Sequence, residues 1–411
     1  MYMQSDKEIR RREFSLIAIL TGGHLFSHAY YLVLAPLFAI IAVELDVTYI
    51  ELGVFLSAYS LASFVFQVPT GILVDKYGPK WFLLGGLTFT SVCVILMGMS
   101  ASYWPMVILS FLAGMGDSVF HPSGYKIMSA RIRKKNLGKA YAAHNFSGYV
   151  GWFAMPLSMI FLAGILGWRL AVITVGILGI GMAVIIFFNR RQLSAEGGKK
   201  QPRTESSTDA KVSIWAMMIS LPVVLLLIFY AISSMANSGL RGFTPVILPQ
   251  LFGMSDLASN YALTMWFGGT MVGVLLGGVV ADQFKRFDLV ASIGYIAGAA
   301  AIGLVGYKIF SASAVPFAYL FGGFMVGVIS PSRDMMVRSV APPERIGQAF
   351  GFVSMGHGVG GFIGPIIFGW VLDYSRAENV LLAGSVMLLA ALAVALLAAV
   401  FGRVQSPVPA E

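Results

Sequence analysis

A chain of 411 residues in which 57% are hydrophobic and only 11% are charged is too apolar for a water-soluble protein, where about a quarter of the residues carry charge. The net charge of +9 lies mostly in short loops, so it indicates membrane topology, and nucleic-acid binding is not needed to explain it. The single cysteine, Cys93, excludes an internal disulfide framework.

Twelve apolar runs follow one another along the chain, each long enough to cross a bilayer as a helix. Within lipid, only helices and closed β-barrels satisfy the backbone, and these runs are too long and continuous for barrel strands. The sequence therefore predicts an all-α membrane protein whose partner is the lipid bilayer. The first run is also too long for a cleavable signal peptide and lacks a small-residue cleavage site. The predicted spans cover residues 15–43, 50–74, 81–101, 104–128, 139–165, 169–189, 217–250, 257–281, 287–307, 314–337, 347–372 and 377–401.

The second half of the chain repeats the first. Residues 138–156 read GKAYAAHNFSGYVGWFAMP and align with residues 347–365, GQAFGFVSMGHGVGGFIGP, in the same direction. A repeat of this kind predicts two parallel six-helix bundles that rock about a site held between them, as in transporters. We expect the first bundle at 1–189, a polar cytoplasmic linker at 190–212 and the second bundle at 213–411.

Basic residues concentrate in alternate loops and at the N-terminus. With an even number of spans, all of these loops fall on one side of the membrane, and the opposite loops offer only Arg169, Lys308 and Arg376. The positive-inside rule then places both termini in the cytoplasm. We expect a monomeric, multi-pass protein of the cell (inner) membrane.

A short motif lies between the second and third spans. Residues 71–80 read GILVDKYGPK, and this stretch resembles the signature loop of the major facilitator superfamily. A degenerate copy, GVVADQFKR, occupies residues 278–286, where that family carries its second copy. The resemblance extends over essentially the whole chain and implies the major facilitator fold, with the aspartate at the helix end latching one conformation. The gating residues that it implies are Gly71, Asp75, Lys76, Gly78, Lys80 and Asp282.

A narrower resemblance rests on the first and fourth spans. Residues 24–28 (HLFSH) and 114–122 (GMGDSVFHP) are similar to the fosmidomycin-resistance branch of the superfamily, which is associated with proton-driven export of small, often anionic compounds. The chain departs from that branch in two places: Ser123 stands where an acid would be, and His28 replaces an aspartate. The usual superfamily arginine of the fourth span is also absent, and Ser110 takes its place.

Ionisable residues inside membrane spans are costly, and they commonly face the interior of the bundle. His24 and His28 are four residues apart in the first span, and Asp117 and His121 have the same spacing in the fourth, so each pair shares a helix face. In the superfamily fold these spans line the central cavity. We therefore predict proton coupling by Asp117, His121 and His28. The alternative is a structural hydrogen-bond cluster that holds the two spans together.

In the second half, arginines interrupt two spans. A guanidinium that faces a cavity suits a carboxylate or phosphonate, and the alternative for Arg241 is an interaction with the outer membrane interface. Arg333 and Asp334 are adjacent, so they point about 100° apart on a helix and need not pair. Intramembrane cations outnumber acids, which favours an anionic substrate. The predicted substrate-binding residues are Arg241, Arg333, Tyr30, Asn237, Trp266 and His24.

The sequence contains no paired Cys/His metal spacing, no phosphate-binding loop and no nucleophile elbow. We therefore expect no enzymatic activity, no cofactor and no metal. Without a nucleotide site, the energy for transport must come from an ion gradient or from the gradient of the substrate itself. The sequence predicts a proton-coupled secondary transporter that works by alternating access on a small organic solute. The excess of cations over acids inside the spans favours an organic anion as this solute. The alternatives are a broad drug or antibiotic efflux pump and a non-transporting membrane receptor of the same fold.

Overall fold

The structure, a computed structural model, describes residues 6–194, 217–284, 286–341 and 345–405. Every regular element in these ranges is a helix, and twelve segments within them are long and apolar enough to cross a membrane. The prediction of an all-α membrane protein with twelve spans is confirmed.

The first six spans contain eight α-helices and one short 3-10 helix, and the last six spans contain one helix each. The first set is α1 (Asp6–Tyr31), a 3-10 helix (Ala35–Leu37), α2 (Phe38–Leu45), α3 (Tyr49–Tyr77), α4 (Pro79–Met99), α5 (Tyr103–Asp117), α6 (Phe120–Arg131), α7 (Lys134–Leu166) and α8 (Trp168–Phe188). The second set is α9 (Leu221–Phe252), α10 (Asp256–Gln283), α11 (Phe287–Gly306), α12 (Val315–Val340), α13 (Ile346–Tyr374) and α14 (Ala377–Gln405).

The fourth span, predicted at residues 104–128, runs from Tyr103 to Arg131 and is broken into two helices. α5 ends at Asp117 and α6 begins at Phe120. Pro122 accounts for the break, because its ring has no N–H and clashes with the carbonyl of Ser118 four residues earlier. The ladder resumes where the Ser123 N–H donates to the carbonyl of Val119 at 3.0 Å.

Contacts divide the chain into two compact units. Within the described ranges, the first unit comprises residues 6–47 and 58–194, and the second comprises 48–57, 217–284, 286–341 and 345–405. The start of α3 therefore groups with the second unit, whereas the sequence boundary placed all of this helix in the first bundle.

The same helix pairings recur inside each unit. In the first unit α1 packs against α7, and α4 packs against α8. In the second, α9 packs against α13, and α11 packs against α14. Two repeat-related glycines permit close approaches of the helix backbones: a Cβ on Gly151 would collide with the carbonyl of Leu25, and one on Gly360 would collide with that of Ala231.

Candidate functional site

Asp117 is the last residue of α5 and lies at the break in the fourth span. Its carboxylate accepts hydrogen bonds from the hydroxyl of Ser27 on α1 and, at 3.0 Å, from the hydroxyl of Ser63 on α3. Within the described ranges no ion pair involves Asp117, and no hydrogen bond joins it to His121. The helix ends between these two residues, so the predicted shared face is not a face of one continuous helix.

Four imidazoles gather where α1, α6 and α7 meet. His24 and His28 come from α1, His121 from α6 and His144 from α7. The ring of His24 is central, with its centroid 3.9 Å from that of His144, 4.6 Å from that of His28 and 5.0 Å from that of His121. These four residues form what we call the histidine cluster.

Hydrogen bonding determines which nitrogen of His24 carries the proton. His24 Nδ1 lies 2.8 Å from the backbone carbonyl oxygen of His144, and a carbonyl can only accept, so Nδ1 is the donor. His24 Nε2 then presents its lone pair to the cluster. In the described part of the chain, this atom and both ring nitrogens of His144 are buried without a hydrogen-bond partner.

Two glycines make room for the imidazoles. A Cβ added to Gly124 on α6 would lie 3.0 Å from the ring of His144, and one added to Gly148 on α7 would lie 2.6 Å from the ring of His28. The cluster therefore depends on small residues at these positions.

His144 is not among the site residues predicted from the sequence, whereas the other three histidines of the cluster are. His144 lies 120 residues from His24, and its only signal is a histidine inside an apolar run. The expectation of no metal was also based on local spacing alone. In the structure, one ring nitrogen from each of His24, His121 and His144 lies within 4.8 Å of the other two.

In the second unit, Arg333 and Asp334 do form an ion pair, with Nε 3.3 Å from Oδ1, so the expectation that they need not pair is replaced by a contact. The guanidinium also lies over the ring of Tyr230, 4.5 Å from its centroid, and the hydroxyl of Tyr230 donates to Asp334 at 2.9 Å. The ring of His357 lies 4.7 Å from that of Tyr230.

The other predicted substrate residues occupy different environments. Arg241 is partly buried, and its Nε donates to the carbonyl of Asn237 at 3.1 Å, one turn earlier in α9. Tyr30 is buried, and its hydroxyl lies 2.7 Å from that of Ser91. Trp266 is also buried and lies against Gly322 of α12. The surroundings of these two aromatic residues are those of packing side chains.

The motif between the second and third spans joins α3 to α4. Gly78 has a φ of +88°, a conformation that favours glycine, immediately before α4 begins. Asp75 does not pair with the cations of its own loop: Oδ1 lies 3.0 Å from Nζ of Lys126 on α6. That lysine also donates to the carbonyl of Val74 at 2.9 Å.

The remaining motif residues lie around this loop. A Cβ on Gly71 would contact Pro122 at 3.9 Å. Nζ of Lys76 lies 5.0 Å from the centroid of the Tyr77 ring, and Nζ of Lys80 donates to Ser194 at 3.3 Å. Asp282 lies in α10, and its side chain is outside the part of the structure that is described.

The repeat, the twelve spans and the signature loop agree with a comparison against known families. The sequence matches the Major Facilitator Superfamily over residues 20–315 and 226–411, which together cover most of the chain. The chain belongs to this superfamily. The family resemblance inferred from residues 71–80 is thereby confirmed.

Curated relatives extend over most of the chain. The fosmidomycin resistance protein of Escherichia coli is 23% identical over 380 residues, covering 90% of this chain and 89% of the relative. A probable nitrate transporter, NarT, of Staphylococcus epidermidis is 23% identical and covers 92% of both chains. The membrane sensor protein UhpC of Salmonella typhimurium is 23% identical and covers 78% of this chain and 76% of the relative.

Solved structures support the fold. The chain superposes on a bacterial homolog of the human lysosomal transporter Spinster with a TM-score of 0.73, at 14% identity, over 98% of this chain and 100% of that one. The protein is a multi-pass membrane protein of a transporter superfamily and takes a small-molecule substrate. The weaker similarity to the fosmidomycin-resistance branch is also confirmed.

Proposed function

We propose that this chain is a proton-coupled secondary transporter of a small organic anion, that it works by alternating access as a monomer in the inner membrane, and that Asp117 carries the coupled proton. The observation that carries the proposal is the neutral hydroxyl setting of Asp117 at the break in the fourth span.

The partners of Asp117 suit a carboxyl that changes its protonation state. Ser27 and Ser63 both contact it through hydroxyl groups. A hydroxyl can donate to a carboxylate and can also accept from a carboxylic acid, so both forms of Asp117 retain hydrogen bonds. A cationic partner would favour the charged form alone. Since a buried ionisable group in a span is costly, this setting supports a functional role.

The histidine cluster supports a proton route near Asp117. His28 and His121 belong to this cluster, and histidine is the side chain whose charge changes near neutral pH. In this proposal, these two residues exchange protons between Asp117 and water. His24 and His144 hold the cluster together through the hydrogen bond between Nδ1 and the carbonyl.

An anionic substrate is supported by the charges of the second unit. Arg241 is partly buried in α9, and Arg333 lies in α12 beside Asp334. The planar guanidinium of arginine binds carboxylate and phosphonate groups through two parallel hydrogen bonds. One relative is named as a nitrate transporter, and nitrate is an anion. Within this proposal Arg241 binds the substrate, and Arg333 acts nearer the inner opening.

The signature loop would act as the gate. Asp75 and Lys126 join the end of α3 to α6 through an exposed ion pair, which contributes at most about 1 kcal/mol to stability. An interaction this weak can be broken during each cycle, as a latch requires.

The test is uptake by purified protein in proteoliposomes. Asp117→Asn should abolish accumulation driven by a pH gradient and spare counterflow exchange, because the amide keeps the shape of the side chain and cannot carry the proton. Asp46→Asn is the matched control: it neutralises an exposed carboxylate at a left-handed position that asparagine tolerates. Undiminished pH-driven accumulation in Asp117→Asn would refute this assignment.

A receptor without transport activity is the second candidate, since one relative is named as a membrane sensor. Wild-type protein that binds a solute and yet neither accumulates it nor exchanges it in proteoliposomes would favour this candidate. An efflux pump for many drugs would instead show exchange with chemically unrelated compounds.

A further inference from the structure

We propose that His24, His121 and His144 form a binding site for a divalent transition-metal ion of the Zn²⁺ class. The three residues come from α1, α6 and α7. Each offers one ring nitrogen, and these three atoms all lie within 4.8 Å of one another. The inference goes beyond the proposed transport function and does not depend on the identity of the substrate. An ion bound here would occupy a ring nitrogen of His121, so His121 can exchange protons only in the metal-free protein.

The hydrogen bond of His24 prepares it as a ligand. A histidine that binds a metal through one nitrogen usually donates its other N–H to a carbonyl or carboxylate, which orients the ring. His24 Nδ1 makes this contact with the carbonyl of His144 at 2.8 Å. The lone pair of Nε2 is therefore directed away from this bond and is ready to coordinate.

The cluster also contains buried nitrogens that lack hydrogen bonds. His24 Nε2 and both ring nitrogens of His144 are buried without such a partner among the residues described. Buried polar atoms are normally satisfied, and a group of unsatisfied ones in one place calls for an explanation such as an ion. A single metal ion would satisfy one nitrogen of each residue at once.

Protonation of the imidazoles would satisfy these buried nitrogens less well than a metal ion would. The rings of His144 and His121 lie 3.9 and 5.0 Å from the ring of His24. Several imidazolium ions at such distances would repel one another in a setting of low dielectric constant. A metal ion instead binds neutral imidazoles, and it concentrates the positive charge at one point between them.

The distances require a modest contraction of the site. Zn²⁺ lies about 2.0–2.1 Å from imidazole nitrogen, so tetrahedral ligand atoms are separated by about 3.3 Å. The rings of His24 and His144 are stacked at an interplanar angle of 22°, so their lone pairs can reach one ion only after the His144 ring turns out of this stack. His121 is partly exposed and follows the helix break directly, so its ring has space to move.

The donor set determines the class of metal. Three imidazoles suit Zn²⁺, Co²⁺, Ni²⁺ and Cu²⁺, whereas Mg²⁺ and Ca²⁺ prefer oxygen ligands. Three protein ligands leave a fourth position for water or an anion, as in open zinc sites.

The experiment uses the full chain without a histidine tag, purified in detergent and treated with a chelator. Zn²⁺ is titrated by calorimetry, and Co²⁺ is titrated by visible absorption. We expect one ion per chain, a tetrahedral Co²⁺ spectrum and no binding of Mg²⁺. His24→Gln, His121→Gln and His144→Gln should each weaken Zn²⁺ binding by about tenfold or more. The control His357→Gln alters a histidine of the second unit and should keep the wild-type affinity.

The pH dependence gives a second readout. Metal and protons compete for the same lone pairs, so Zn²⁺ affinity should rise with pH through the range in which histidine loses its proton. Wild-type protein that binds no Zn²⁺, or that binds Mg²⁺ equally well, would overturn the proposal without any variant. Unchanged affinity in all three cluster variants would also overturn it. Elution profiles and metal-free unfolding midpoints identify a variant that has lost its fold.

Discussion

At the residue scale, Arg241 is the residue on which the proposal of an anionic substrate chiefly depends. Its Nε donates to the carbonyl of Asn237 at 3.1 Å, and this contact holds the guanidinium against α9. The side chain is partly buried within α9, where electrostatic interactions are stronger than in water.

Replacing Arg241 should therefore weaken anion binding. We expect Arg241→Ala to cost about 2–5 kcal/mol of binding free energy, as truncation of one member of a buried charged pair does. Arg241→Lys should restore little of this loss, because lysine is a point charge on a flexible stem. The affinities of the wild type and both variants for nitrate and for a panel of small carboxylates and phosphonates are measured in detergent.

The control for this series is Arg286→Ala. Arg286 is an exposed residue immediately before α11, and it pairs with Asp288 in the first turn of that helix. This substitution should leave affinity unchanged. If both Arg241 variants bind the anions as tightly as the wild type does, Arg241 belongs to the membrane interface. The argument for an anionic substrate then rests on Arg333 alone.

The sequence could identify Asp117 and three of the four histidines of the candidate site, but not their partners. Asp117 and His121 stand out because charge is rare inside a span. Ser27 and Ser63 do not stand out, since hydroxyls are common in membrane helices and cost little there. Their role became visible only when α1 and α3 were seen to place them against Asp117.

At the element scale, the break between α5 and α6 determines where Asp117 and His121 point. Proline alone does not predict such a break. Pro156 lies inside α7 and Pro365 lies inside α13, and both helices continue past these residues. Whether a proline interrupts a helix depends on how neighbouring helices satisfy the freed carbonyls, which is a tertiary property.

Restoring the helix should impair coupling without loss of stability. Pro122→Ala supplies an N–H that can donate to the carbonyl of Ser118 and removes the ring that clashes with it. We expect an unfolding midpoint equal to or above that of the wild type, together with a several-fold decrease in pH-driven uptake, because the new helical turn rotates His121 relative to Asp117.

The matched control is Pro156→Ala, which changes a proline inside a helix that is already continuous. Its uptake should remain close to the wild-type rate. Equal uptake by Pro122→Ala and the wild type would show that the break has no part in coupling.

At the scale of the whole molecule, the distribution of basic residues makes a prediction about orientation. The sole cysteine, Cys93, is buried in α4, so its replacement by alanine provides a background for single-cysteine labelling. Lys135 lies in the first turn of α7, next to the loop that follows α6, and Ser311 lies in the loop before α12; both residues are exposed, and the positive-inside rule assigns these two loops to opposite sides.

In this background, Ser311→Cys should react with a membrane-impermeant maleimide in intact cells. Lys135→Cys should react only after the membrane is permeabilised, because its loop carries the cytoplasmic excess of lysine and arginine. The reverse pattern would invert the topology and would place both termini outside.

The sequence by itself determined the number of spans, the parallel repeat and the superfamily. The bilayer requires about 20 apolar residues for each crossing helix. These residues are consecutive in the chain, so each span can be recognised from its own segment of the sequence. The repeat is likewise a comparison of the chain with itself. The sequence left open whether Arg333 pairs with Asp334, because this ion pair depends on side-chain conformations beside Tyr230.

Only the tertiary structure decided the composition of the histidine cluster and the environment of Asp117. His24, His121 and His144 come from three helices, and no spacing rule relates residues that are 120 positions apart. Their proximity follows from the packing of α1 against α7, which small residues such as Gly151 permit, and from the helix break that directs His121 toward them. Helix packing is a long-range outcome of the whole bundle, so it cannot be derived from any one segment of the sequence.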